Sequence, residues 1–75
     1  MELIPLKSSL IHSVAYNSDY NSLQINFHQG SIYVYYNVPE SVFEQLISAE
    51  SAGRFYNQQI KGEYESEKIP PENLQ

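Results

Sequence analysis

The chain has 75 residues, with three phenylalanines, seven tyrosines, no cysteine and a formal net charge of −5. That length makes one domain that buries only about 60% of its unfolded surface, so stability should be on the order of 4–10 kcal/mol and rest on large apolar side chains, with no disulfide to help. The charge excludes a partner gripped mainly through a long phosphate backbone, which needs a basic footprint, and no apolar run reaches the roughly 18 residues of a membrane span.

The opening "MELIPLKSS" lacks the basic start and apolar core of a signal peptide, so a cytoplasmic location without membrane contact is expected. "SLIHSVAYNS" then reads as a first strand, rich in β-branched and aromatic residues and closed by the turn-forming Asn17-Ser18-Asp19. Its parity is mixed. Ile11 and Ala15 share one face and Val14 and Tyr16 the other, which either a bulge or burial on both faces would explain.

"SLQINF" alternates cleanly, with Leu23, Ile25 and Phe27 on one side and Gln24 and Asn26 on the other. After "HQGS", "SIYVYYNV" alternates again, Ile32, Val34, Tyr36 and Val38 against Tyr33 and Tyr35. A hairpin closing over residues 28–31 pairs Phe27 with Ile32, Ile25 with Val34 and Leu23 with Tyr36, gathering all six on one buried face. On that register Tyr33 stands opposite Asn26 and Tyr35 opposite Gln24, on the open face.

From Pro39 the period becomes helical. Val42, Phe43, Leu46, Ile47 and Ala49 form one apolar stripe, with Pro39 and Glu40 suited to a first turn. Ala52, Phe55, Tyr56 and Ile60 form a second, with Ser51 as cap and Gly62 as terminator. The expected fold is therefore α+β: a three-stranded antiparallel meander followed by two helices packed on one sheet face. Its expected core is Leu23, Ile25, Phe27, Ile32, Val34, Tyr36, Val42, Phe43, Leu46, Phe55 and Ile60. Residues 1–65 make the domain. Residues 66–75 are expected to be a mobile acidic tail, because residues 63–75 hold four acids and one base and Pro70-Pro71 forbids helix.

Catalytic chemistry has little to stand on. His12 and His28 are the only histidines and lie on different strands, and neither a nucleophile elbow nor an i, i+4 histidine pair occurs. A non-enzyme without cofactor or metal is expected. Two features could bind something. Tyr33 and Tyr35 on an open sheet face either pack across strands or form a stacking platform for bases. Arg54, Gln58 and Lys61 share one side of the second helix, and the helix start at Ser51-Ala52-Gly53 offers free N–H groups to an anion. The bland alternative for these three is a capped helix with a solvated polar face.

Ser8-Ser9, Gly30-Ser31, Tyr33-Val34-Tyr35, Val38-Pro39, Val42-Phe43, Gly53-Arg54-Phe55, Asn57 and Ile60 together resemble the KTSC domain. The likeness covers about residues 8–64. That family occurs at the C-terminus of some lysyl-tRNA synthetases and as stand-alone proteins of bacteria and phages, with a central Tyr-X-Tyr element and a suggested role in RNA binding. The resemblance implies a ligand site at Tyr33 and Tyr35, with Arg54 and Asn57 as further motif positions. Glu63 and the acidic tail depart from what an RNA binder needs, which favours a nucleotide or short strand over long RNA. The expectation is thus a binding module for short RNA or a nucleotide, with Tyr33 and Tyr35 stacking and Arg54 and Lys61 on phosphate. The alternative is a protein-interaction or homodimer module using the same tyrosines.

Overall fold

The structure, a computed structural model, describes residues 2–70. Strands β1 (Ile4–Pro5), β2 (Ile11–Asn17), β3 (Ser22–Phe27), β4 (Ile32–Tyr35) and β5 (Ser66–Lys68) form one antiparallel sheet in chain order. Helices α1 (Glu40–Ser48) and α2 (Ala52–Phe55) stand between β4 and β5, and α2 runs directly into a π-helical turn, Tyr56–Ile60. The α+β class holds, but the sheet has five strands rather than three. Both additions are edge strands of two or three residues, too short to show an alternating pattern.

The mixed parity of β2 resolves into a bulge. Ile11 pairs with Phe27 but Ser13 with Asn26, so the ladder shifts by one across His12. The extra residue puts Ile11 and Val14 on the same face, both fully buried. Ser13 and Ala15 are buried as well, at 3% and 1% exposure, on the opposite face.

The β3–β4 hairpin corrects the expected register. Leu23 pairs with Tyr35, Gln24 with Val34, Ile25 with Tyr33 and Asn26 with Ile32. The loop has three residues, not four: Gly30 N–H donates to Phe27 O at 2.9 Å, Phe27 N–H donates to Ser31 O at 2.9 Å, and Gly30 sits at φ 110°. This is a three-residue turn closed by a glycine at positive φ, a conformation open to residue 30 because it lacks a Cβ. An odd loop reverses the parity of the strand it leads into. Tyr33 and Tyr35 therefore join Leu23, Ile25 and Phe27 on the core side, and Ile32, Val34 and Tyr36 move to the open face.

Ile11, Val14, Leu23, Ile25, Phe27 and Tyr35 of the sheet enclose the core with Val38, Leu46, Ala52, Tyr56 and Ile60. Of the expected core, Val42, Phe43 and Phe55 are half-buried at its margin, Ile32 and Val34 half-buried on the open face, and Tyr36 is 37% exposed. Phe43 stacks on Tyr16 at a centroid distance of 5.0 Å.

The helix ends follow their local chemistry. Pro39 is the N-cap of α1 and Glu40 lies in its first turn. Ser51 caps α2, its Oγ accepting from Arg54 N–H at 3.2 Å. Gly62 follows the π-helical turn at φ 80°.

Ser66–Lys68, expected in the tail, pairs with β4: Tyr33 with Lys68, Val34 with Glu67 and Tyr35 with Ser66. Ile69 N–H adds a bond of 2.8 Å to Ile32 O, and Ile69 is half-buried. The proline pair bars helix but not this extended pairing. Residues 71–75 of the expected tail lie outside the described residues. Truncation after Glu65 should expose the edge of β4 and cost at least ~1 kcal/mol, a fall of about 4–8 °C per kcal/mol in melting temperature. A thermal scan with an unchanged midpoint would show that β5 adds nothing to stability.

Candidate functional site

The tyrosine pair comes first. Tyr35 is 4% exposed and its hydroxyl is hydrogen-bonded to that of Tyr56. The two rings meet edge-on at 5.9 Å, and Phe27 meets Tyr56 at 5.3 Å and Tyr33 at 5.9 Å. Tyr33 is half-buried against this cluster. An open stacking platform of both rings is therefore ruled out by packing. These aromatics hold the sheet to the π-helical turn, each pair adding about 0.5–1.5 kcal/mol beyond area burial.

Burial, reinforced by the bond to Tyr56, pushes the Tyr35 phenol above its ordinary value. In the unfolded chain this group ionises near pH 10. Its contribution is therefore complete below that pH and is lost as pH rises beyond it, at up to about 1.4 kcal/mol per pH unit. Urea midpoints measured from pH 8 to 11 should fall more steeply for the wild type than for Tyr35→Phe. Parallel profiles would remove Tyr35 from the alkaline transition.

The other expected residues separate into two groups. Arg54 and Asn57, together with Gln58, line an open cleft of about 590 Å³ whose opposite wall is the β1–β2 loop, Lys7 to Leu10. Lys61, also exposed, caps the far end of the π-helical turn and is not part of this lining. The free N–H groups expected at the start of α2 are partly used, since Ser51 takes the one from Arg54.

Local bonds fix the loop wall. Ser8 Oγ accepts from Leu10 N–H and Ile11 N–H, both at 3.1 Å. The β3–β4 turn reaches across to it: His28 N–H donates to Leu10 O at 3.0 Å, and His28 Nε2–H to Ser8 O at 2.8 Å. Gly53 rests on this loop, where a Cβ would lie 3.5 Å from Leu10 Cβ and 3.6 Å from Ser8 Oγ. The π-helical bonding shapes the other wall, with Lys61 N–H donating to Tyr56 O at 2.8 Å. Such turns occur disproportionately at functional sites.

Lys7 and Glu50, not singled out from the sequence, complete the lining. No spacing rule brings Lys7 to Arg54; only the fold of the β1–β2 loop over α2 does so. Two of the chain's four positive side chains thus share the lining with one carboxylate, giving a locally cationic cleft in an acidic protein. Ser9, Asn57 and Gln58 add hydrogen-bonding groups of either sign.

The family model for the KTSC domain matches residues 7–64. The chain belongs to the KTSC domain family. The crystal structure of a KTSC domain protein from Yersinia pestis superposes with a TM-score of 0.87 at 40% identity, covering 92% of this chain and 97% of that one. A protein of Tsukamurella paurometabola is 42% identical over 57 residues, 76% of this chain and 85% of its own length. A lysine–tRNA ligase of Nostoc punctiforme is 37% identical over 67 residues, 89% of this chain but 12% of the ligase. Tyr35 lies in the core with Tyr33 packed against it, while Ser8, Ser9, Gly53, Arg54 and Asn57 gather at the cleft.

Proposed function

We propose that this KTSC domain is a non-enzymatic module that binds a nucleotide or short RNA in the cleft between the β1–β2 loop and α2. Lys7 and Arg54 take the phosphate, and Asn57 and Gln58 take polar edges of the base or sugar. The observation that carries this reading is the convergence of Lys7, Arg54, Asn57 and Gln58 on one open cleft. The likeness to a segment of lysine–tRNA ligase supports it. Two cations suit one or two phosphates; a long strand would be repelled by a chain of net charge −5. Tyr33 and Tyr35 serve by fixing the π-helical turn through Tyr56. The test is an NMR titration with AMP, UMP and a short oligoribonucleotide. Amides of Ser9, Gly53, Arg54 and Asn57 should shift, and silence of all four at millimolar ligand would end the nucleotide reading.

A second reading has its own observation. The sheet face opposite the helices carries Tyr36 at 37% exposure, beside half-buried Ile32, Val34 and Ile69. The protein-interaction or homodimer role expected of Tyr33 and Tyr35 would fall to this face instead. Light scattering of Tyr36→Ala against the wild type tests it: a dimer that the variant converts to monomer supports it, and identical masses count against a homodimer.

A further inference from the structure

Among the described residues Glu50 is the one acidic side chain in the cleft lining, set in the segment between α1 and α2 directly before the cap Ser51. It also lines the two adjoining depressions, one with Phe55 and Gln58 and one with Pro5 and Ile47, so it stands where all three meet. A carboxylate beside a phosphate site repels the ligand unless the ligand brings hydrogen-bond donors to it. An ionised carboxylate accepts and cannot donate. The donors a nucleotide holds near its phosphate are the ribose hydroxyls, and a carboxylate accepting from the 2′-hydroxyl is a recurring way to hold ribose.

From the presence of Glu50 in the same cleft lining as Lys7 and Arg54 we infer that its carboxylate reads the sugar and selects ribonucleotides over deoxyribonucleotides. This rests on the nucleotide reading above and adds the ligand's sugar to it. Deoxyribose leaves one of the carboxylate's hydrogen bonds unmade while the repulsion from phosphate stays. The expected discrimination is about 10-fold, the lower end for a hydrogen bond to a charged group because Glu50 is exposed.

Calorimetric titrations with AMP, dAMP and inorganic phosphate, on wild type and Glu50→Gln, test the inference. The wild type should bind AMP about 10-fold more tightly than dAMP. In Glu50→Gln that ratio should fall toward one, while affinity for inorganic phosphate rises as the repulsion disappears. Equal binding of AMP and dAMP by the wild type would overturn the sugar-reading role and leave the nucleotide site standing. A ratio unchanged in Glu50→Gln would overturn it too, assigning the discrimination to another residue. Binding of neither nucleotide would remove the site itself, an outcome distinct from both.

Discussion

Tyr35→Ala is expected to destabilise the domain by about 3–5 kcal/mol, the range for truncating a large aromatic in a core. The side chain is nearly inaccessible, packs against Tyr56 and leaves the Tyr56 hydroxyl without its partner when removed. On a total of roughly 4–10 kcal/mol that loss brings the domain close to unfolding at room temperature. Tyr36→Ala, one residue on, should cost under about 1 kcal/mol, because the Tyr36 ring lies on the open face and its hydroxyl donates to the exposed Glu67. Urea denaturation of both variants gives the comparison. Equal losses would place the two tyrosines in equivalent environments and contradict the hairpin register. Tyr35→Phe separates the hydroxyl from the ring and should cost about 1–3 kcal/mol, the penalty for a buried polar group left unsatisfied.

Arg54→Ala should weaken binding of a short oligoribonucleotide about 10- to 100-fold, equivalent to roughly 1.5–3 kcal/mol for a charge-assisted contact. The effect should appear in binding alone. Arg54 is exposed and its backbone N–H, not its side chain, completes the Ser51 cap, so stability should stay within about 0.5 kcal/mol of wild type. With two phosphate contacts, log K against log salt should slope at about −1.4 for a single strand, and the variant at about −0.7. A variant with wild-type affinity and slope would take Arg54 out of the site.

Much of this architecture is legible in the chain. Strict alternation in "SLQINF" fixes β3, and the switch to helical spacing after Pro39 fixes α1. Ser51 and Gly62 bracket the second helical segment through their capping chemistry. The hairpin register is different in kind. Ile32, Val34 and Tyr36 are as apolar as Tyr33 and Tyr35, so alternation offers two faces of equal merit. What separates them is nonlocal: Tyr56, over twenty residues away, supplies a hydroxyl and a ring edge to Tyr35. The cleft shows the same division. Arg54, Asn57 and Gln58 are neighbours on one short helical segment and could be read together. Lys7 joins them only because His28 pins the β1–β2 loop, a contact spanning twenty residues.

The three-residue β3–β4 turn determines where this protein can accept changes in length. Surface turns usually tolerate insertions. Here one added residue between Phe27 and Ser31 would break the three-residue turn, whose bonds run from Gly30 N–H to Phe27 O and from Phe27 N–H to Ser31 O. It would also displace His28 from the loop that walls the cleft. The opposite turn, Ser18-Asp19-Tyr20, holds no other element in place: the N–H groups of Asp19 and Tyr20 both donate to Asn17, within the turn itself. Epitope tags, spectroscopic labels and natural length variation should therefore be accommodated at residues 18–20 and refused at 28–30.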